Sequence, residues 1–310
     1  MAGSNQNTAA DAAHEAVREQ VRAGYSEIAR SGQWSGVQSI GVNLGGLEAG
    51  TDEGADGGCC GGGGCCGPTT LTADQVAGAV GYAAEDLRVL PAGANMGLSC
   101  GNPTALASLR AGETVLDLGC GGGFDCFIAG PKVGPAGSVI GVDMTADMLA
   151  KARGNIAHYK NQAGMDNVRF RLGEIEHLPV ADSSVDVVIS NCVINLSPDK
   201  RQVWREIARV LKPGGRVAVS DLALLKPLPD GVRADLEALV GCIAGADLVD
   251  DVRAAALDGG LSDVKMEAKP QYVEAMVSWD DPLYKRIIAA LPEGDAVADY
   301  VVSLDISAVR

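Results

Sequence analysis

From about residue 71 onward the chain alternates short β-branched runs with longer stretches whose apolar residues recur every three or four positions. Five runs read as strands: Thr114–Leu118, Ser138–Asp143, Val168–Leu172, Val185–Ser190 and Arg216–Asp221. Between them, Ala146–Ala163 and Asp199–Leu211 carry apolar residues at helical spacing. This alternation predicts an α/β fold with a mostly parallel sheet and helices on both faces. The turn Lys212-Pro213-Gly214-Gly215 is expected to break the chain before the fifth strand. Beyond Asp221 the pattern loosens. Leu236–Ala244 and Val252–Leu257 read as helices there, and Val264–Glu267 and Tyr300–Leu304 as strands, the last of the sheet together with a covering element.

Upstream, Asp11–Ile28 reads as a helix, with no Gly or Pro before Gly24. Ser31–Pro68 turns loop-like and ends in Gly57–Gly67, which contains only Gly and Cys. A segment that loses so much backbone entropy on ordering does not fold alone. Three zones result: 1–68 as N-terminal helix and Gly/Cys-rich segment, 69–223 as the α/β core, and 224–310 as a cap with the last strands.

Apolar residues make up 47% of the 310-residue chain and charged residues 21%, the mixture of a soluble globular protein. The formal charge of −15 opposes docking on nucleic acid or anionic lipid, although acidity also serves solubility alone. The N-terminus lacks an apolar signal core and no window is long enough to span a membrane, so a cytoplasmic location is expected. Nine cysteines in a reducing compartment favour metal binding, metalloid binding or catalysis over structural disulfides. His14, His158 and His177 are scattered, without the spacing of a zinc site.

The run Val115-Leu116-Asp117-Leu118-Gly119-Cys120-Gly121-Gly122-Gly123-Phe124 is a strand entering a glycine turn and then a helix. A dinucleotide fingerprint starting at Gly119 needs Gly or Ala where Phe124 stands. The pattern instead resembles the D-x-G-x-G-x-G of class I methyltransferases, through Asp117, Gly119, Gly121 and Gly123. Asp143, at the end of the second strand, is suited to accept ribose hydroxyls. Met144, Glu174, Ile175 and Asn191, at the ends of successive strands, complete the candidate cofactor site for S-adenosylmethionine. Cys192 follows the fourth strand directly, at the edge where open α/β sheets bind ligands.

The stretches Leu98-Ser99-Cys100-Gly101-Asn102-Pro103, Ile140-Gly141-Val142-Asp143-Met144-Thr145, Asn191-Cys192-Val193-Ile194-Asn195-Leu196 and Gly241-Cys242-Ile243-Ala244-Gly245-Ala246 together closely resemble the arsenite methyltransferase family. The resemblance runs from about Thr72 to Leu261. It implies a class I Rossmann-like methyltransferase that moves methyl groups from S-adenosylmethionine to arsenite or methylated trivalent arsenicals. By that resemblance Cys100, Cys192 and Cys242 are the arsenic ligands, which suits a soft, thiophilic centre. It further implies an external thiol reductant, thioredoxin or glutathione, and a monomer without a nucleic-acid or membrane partner. Cys59, Cys60, Cys65 and Cys66 form two adjacent pairs, read either as an arsenite-capturing clamp or as a metal-buffering or inert insert. Cys120 reads as part of the turn's backbone geometry, and Cys126 as core. Two other functions remain open on the sequence: a small-molecule C- or O-methyltransferase of the same fold, and a non-catalytic metalloid-binding protein.

Overall fold

The computed structural model describes residues 3–31, 73–88, 90–233, 242–269, 273 and 287–310. Helix α1 (Gly3–Ser31) is longer than the residue pattern predicts, and Gly24 does not interrupt it. Its buried side chains Val21, Ile28 and Ala29 hold it to the body, and Arg30 bonds Asp147 at 2.6 Å. Tertiary burial of one face outweighs the roughly 1 kcal/mol that a glycine costs inside a helix.

Three short helices follow: α2 (Ala73–Ala79), α3 (Ala84–Arg88) and α4 (Pro103–Leu106). In α4, Pro103 fills the first turn and the Asn102 side chain accepts the Ala105 N–H at 2.9 Å, a regular N-terminal cap. The α/β body then runs β1 (Thr114–Leu118), α5 (Phe124–Val133), β2 (Ser138–Asp143), α6 (Ala146–Gly154), α7 (Ile156–Ala163), β3 (Val168–Leu172), β4 (Val185–Asn191), α8 (Lys200–Val210) and β5 (Leu211–Leu224). The expected single helix over 146–163 is two, divided at Asn155 behind the poor helix former Gly154.

The strand order is β3-β2-β1-β4-β5-β7-β6, where β6 is Ser262–Lys269 and β7 is Val301–Val309. The first five strands are parallel; β7 is antiparallel to both β5 and β6. Lys212–Gly215 do not break the chain before β5, contrary to the expectation. Leu211 already pairs with Val185, and the register shifts before Arg216 pairs with Val187. Gly214 supplies the positive φ of 76° for this bulge, and Lys212 ties it to Asp186 at 2.8 Å. Helices α9 (Asp230–Arg233) and α10 (Val249–Asp258) precede β6. Most of the helix expected over Leu236–Ala244 lies outside the described residues. Its end is not helical: Cys242 sits at φ 63°, left-handed backbone that an α-helix excludes.

Both faces of the sheet are covered, which explains the near-continuous apolar runs in β1, β2 and β4. Val203, Trp204 and Ile207 of α8 pack with Leu116, Leu118 and Val188 on one side. Phe127 and Val133 of α5 pack with Val115, Val187 and Ile189 on the other. Among the described residues no helix is long and apolar enough to cross a membrane.

Candidate functional site

The sheet order reverses between β1 and β4, and a cleft lined by their loops opens beyond their carboxyl ends. That is where open α/β sheets bind ligands. Its floor is the glycine turn. Gly119, at φ 64°, leads out of β1, and a Cβ there would strike the Val193 side chain, so only glycine lets the two loops meet. Gly123 N–H closes the turn on Cys120 O at 2.8 Å. The N-terminus of α5 then points its free N–H groups toward the cleft.

Asp143 fixes this turn to the end of β2. One carboxylate oxygen accepts Gly121 N–H at 2.9 Å and the other Thr145 N–H at 2.7 Å. Burial pushes its pKa up, against those two donors. Asp117, also lining the cleft, accepts the Cys126 thiol at 3.1 Å. Its neighbour Asp125 accepts Tyr82 Oη–H at 2.7 Å, and burial raises its pKa to about 6. Gly121, Met144 and Ile175 line the same wall. Glu174 is turned instead toward α1, where Arg18 and Arg22 each lie 3.5 Å from its carboxylate. Helix α1 thus roofs the cleft with Arg18, Val21 and Tyr25, a role its ordinary amphipathic sequence did not announce.

Beside this cleft the three cysteines expected to act together converge. Cys100 and Cys192 are 92 residues apart in sequence yet have Cα atoms 6.2 Å apart, within the range a disulfide spans. The Cys242 thiol donates to the Cys192 carbonyl at 2.8 Å. Burial pushes that thiol well above its ordinary pKa, and the Asp221 charge adds to the shift, while a hydrogen bond with Tyr25 opposes it. Asn191 ties the first cysteine into place: its Oδ1 accepts Cys100 N–H at 3.1 Å, and its Nδ2 donates to Gly101 O at 3.0 Å. The Cys192 N–H donates to Ser220 O at 2.9 Å, which holds that loop to β5.

A fourth group at this place was missed in the sequence. The Asp221 carboxylate lies within 4.8 Å of the Cys100 and Cys192 sulfurs. An acid at the carboxyl end of an apolar strand is the only signal that could have flagged it. Cys126 is fully buried, and Cys120 lies beside it under Gly141, where a Cβ would meet both sulfurs within 2.8 Å. Cys59, Cys60, Cys65 and Cys66 lie outside the described residues.

Comparison with known proteins agrees with this geometry. A family model described as a methyltransferase domain matches residues 109–275. The solved structure of an arsenic(III) S-adenosylmethionine methyltransferase from Chlamydomonas reinhardtii superposes with a TM-score of 0.57 at 33% identity, over 76% of this chain and 73% of that one. The chain belongs to the arsenite methyltransferase family. Among this family's curated members, that of Halobacterium salinarum is 48% identical over 90% of this chain and 66% of its own length. The human arsenite methyltransferase is 41% identical over 43% of this chain and 36% of its own. The chain therefore spans just under two thirds of the first of these relatives and about a third of the second. A geranyl diphosphate C-methyltransferase from Streptomyces coelicolor, at 18% identity and a TM-score of 0.55, shares the fold.

Proposed function

We propose that the chain methylates trivalent arsenic, using S-adenosylmethionine as donor and Cys100, Cys192 and Cys242 as arsenic ligands. The observation that carries this reading is the convergence of those thiols beside the glycine-turn cleft. The cleft fits the donor. The acidic side chains of Asp117, Asp125 and Asp143 line it beside the glycine turn, which suits a cationic ligand. Asp143, with Gly119, Gly121, Gly123, Met144 and Ile175, is assigned to the nucleoside end of the site. Asp117 is assigned to the amino-acid end, while Glu174 and Asn191 support the walls. Bound S-adenosylmethionine supplies an electrophilic methyl group on a sulfonium sulfur.

The protein's part is to hold arsenic. Each thiol proton leaves with one hydroxide of arsenite as water, and three As–S bonds replace three As–O bonds. Arsenic keeps a lone pair as the nucleophile, so no general base is needed. Fixing it in line with the methyl group can contribute roughly 7–11 kcal/mol through positioning. The closeness of Cys100 and Cys192, with Cα atoms 6.2 Å apart, fits the following step. Two As–S bonds become one S–S bond, an electron pair returns to arsenic, and a water adds to the remaining arsenic cation and loses a proton, so that methylated trivalent arsenic stays on Cys242 with one hydroxyl. An external thiol, thioredoxin or glutathione, then reopens the disulfide by exchange. Dependence on reduced thiols assigns the work to the cytoplasm. Cys59, Cys60, Cys65 and Cys66 are assigned to accessory capture of arsenite.

The test is incubation of the protein with arsenite, S-adenosylmethionine and a thiol reductant, followed by chromatographic separation of arsenic species. Methylated arsenicals that need all the components are expected. Consumption of the donor with another acceptor only, or unaltered arsenite, would overturn the reading.

A further inference from the structure

Asp221 is 4% exposed, and all its hydrogen-bond partners are donors. Ile194 N–H lies at 3.1 Å, Asn195 N–H at 3.4 Å, Asn195 Nδ2 at 2.9 Å and Leu222 N–H at 2.9 Å. This donor set fits the carboxylate ion and offers no acceptor for a carboxylic proton. Among the described residues Asp221 forms no ion pair: Lys200, the cation whose field reaches it, is bonded to Asp247 at 3.3 Å. Burial pushes its pKa up to about 7, while these donors and the field of Lys200 oppose the rise, so the carboxylate carries negative charge at and above neutral pH within 4.8 Å of the Cys100 and Cys192 sulfurs.

Such a charge is poorly suited to gathering thiolates, which it repels. Arsenic bound to three thiolates is neutral, so binding gives Asp221 nothing to attract. The situation changes during transfer. The arsenic lone pair forms the As–C bond, the donor's C–S bond breaks, and that bond's electron pair stays on sulfur as a neutral thioether. The positive charge thereby passes from the sulfonium to arsenic.

We infer that Asp221 stabilises the positive charge that builds on arsenic during methyl transfer, and so acts on the transition state rather than on arsenite binding. This rests on the arsenic-methylation reading. The carboxylate is buried, pre-oriented by four donors and within 4.8 Å of the Cys100 and Cys192 sulfurs, where a held charge acts strongly because little must reorganise. Braced to the Cys192 loop through Asn195, it keeps a fixed distance from the reacting centre.

The experiment compares wild type with Asp221→Asn. Three quantities are read: S-adenosylmethionine affinity by calorimetry, arsenite affinity from protection of thiols against alkylation, and the single-turnover rate of methyl transfer. The wild type serves as the first arm. If it transfers no methyl group to arsenite, the functional reading itself falls. If it does, Asp221→Asn is expected to keep both affinities within about twofold and to lose about 10- to 100-fold in the single-turnover rate. An unchanged rate, or a rate loss matched by an equal loss of arsenite affinity, overturns the inference. Asp221→Ser covers the case in which Asp221→Asn does not fold. It also removes the charge, so the same loss of single-turnover rate with both affinities kept is expected. An unchanged rate in a folded Asp221→Ser protein refutes the charge argument.

Discussion

Replacing Asn191 with Ala tests whether the Cys100 loop is held from β4. Asn191 accepts Cys100 N–H at 3.1 Å and donates to Gly101 O at 3.0 Å, to Tyr82 Oη at 3.0 Å and to Asp125 Oδ2 at 3.3 Å. Tyr82 keeps its 2.7 Å bond to Asp125, so its loss is small. Cys100, only 2% exposed, is left with a buried N–H that has lost its acceptor, which costs about 1–3 kcal/mol. The lost bond to Gly101 O adds about 1 kcal/mol. The sum, about 2–4 kcal/mol, corresponds to a fall in Tm of roughly 5–10 °C for a domain this large. Cys192 keeps its own tie to Ser220 O, so the damage falls on one ligand of the cluster. Calorimetric melting and steady-state kinetics should therefore show lower stability and a raised KM for arsenite, with the KM for S-adenosylmethionine changing less. A Tm within about 1 °C of wild type together with an unchanged arsenite KM would mean that Asn191 does not hold the Cys100 loop.

Gly119→Ala should weaken S-adenosylmethionine binding by at least tenfold in calorimetric titration, because its Cβ meets Val193 at a φ of 64°; wild-type affinity would show that the turn can relax. Glu206 titrates with a stability signature: burial alone would raise its pKa, but Arg209 at 2.6 Å and Leu178 N–H at 2.7 Å override this and hold it below the ordinary value. Its stabilisation is therefore full above the unfolded carboxylate range and is lost as pH falls through the lower folded value, so Glu206→Gln should cost about 1–3 kcal/mol in urea melts at pH 7 and converge with wild type in acid. Cys100→Ser should fail on arsenite, which offers three exchangeable positions, yet still methylate monomethylated trivalent arsenic, which offers two; wild-type rates on both substrates would remove Cys100 from the ligand set. Replacing Cys59, Cys60, Cys65 and Cys66 together with Ser should slow turnover at low arsenite and leave the saturated rate close to normal, and complete loss at saturation would contradict an accessory role.

The strands were legible where burial is two-sided. β1 and β2 fall at the expected residues because each is a short apolar run closed by Gly or Asp, whereas β3 is an alternating Val-Arg-Phe-Arg strand buried on one face. β5 was underestimated for a physical reason. Pro213 and the two glycines look like a terminator, but the neighbouring β4 supplies Val185 as a partner for Leu211, so the chain bulges and continues. The C-terminal end of α1 was likewise set by tertiary contact, with Ile28 buried in a cluster with Met148 and Arg30 bonded to a residue 117 positions away. No local pattern contains those contacts.

The cysteines show where residue identity stops and geometry begins. Cys126 lies in the regular helix α5, buried without backbone strain, and behaves as a small apolar side chain with a weak S–H donor. Cys192 and Cys242 lie at φ 55° and 63°, the left-handed region that glycine or asparagine occupies most cheaply. A branched-at-nothing but Cβ-bearing residue there costs of order 1–3 kcal/mol, persisting only where the surroundings fix it. The surroundings do so: Asn195 Nδ2 reaches Asp221 at 2.9 Å, Leu222 O at 2.6 Å and Cys242 O at 3.4 Å, clamping both loops to β5. Glycine would relieve the strain and lose the sulfur. Two strained cysteines braced against one buried carboxylate are thus explained by what their sulfurs hold, whereas the unstrained Cys126 is explained by packing alone. That distinction is invisible in a string of nine identical letters, because the sign of φ is decided by a partner strand and an asparagine that the cysteine positions do not encode.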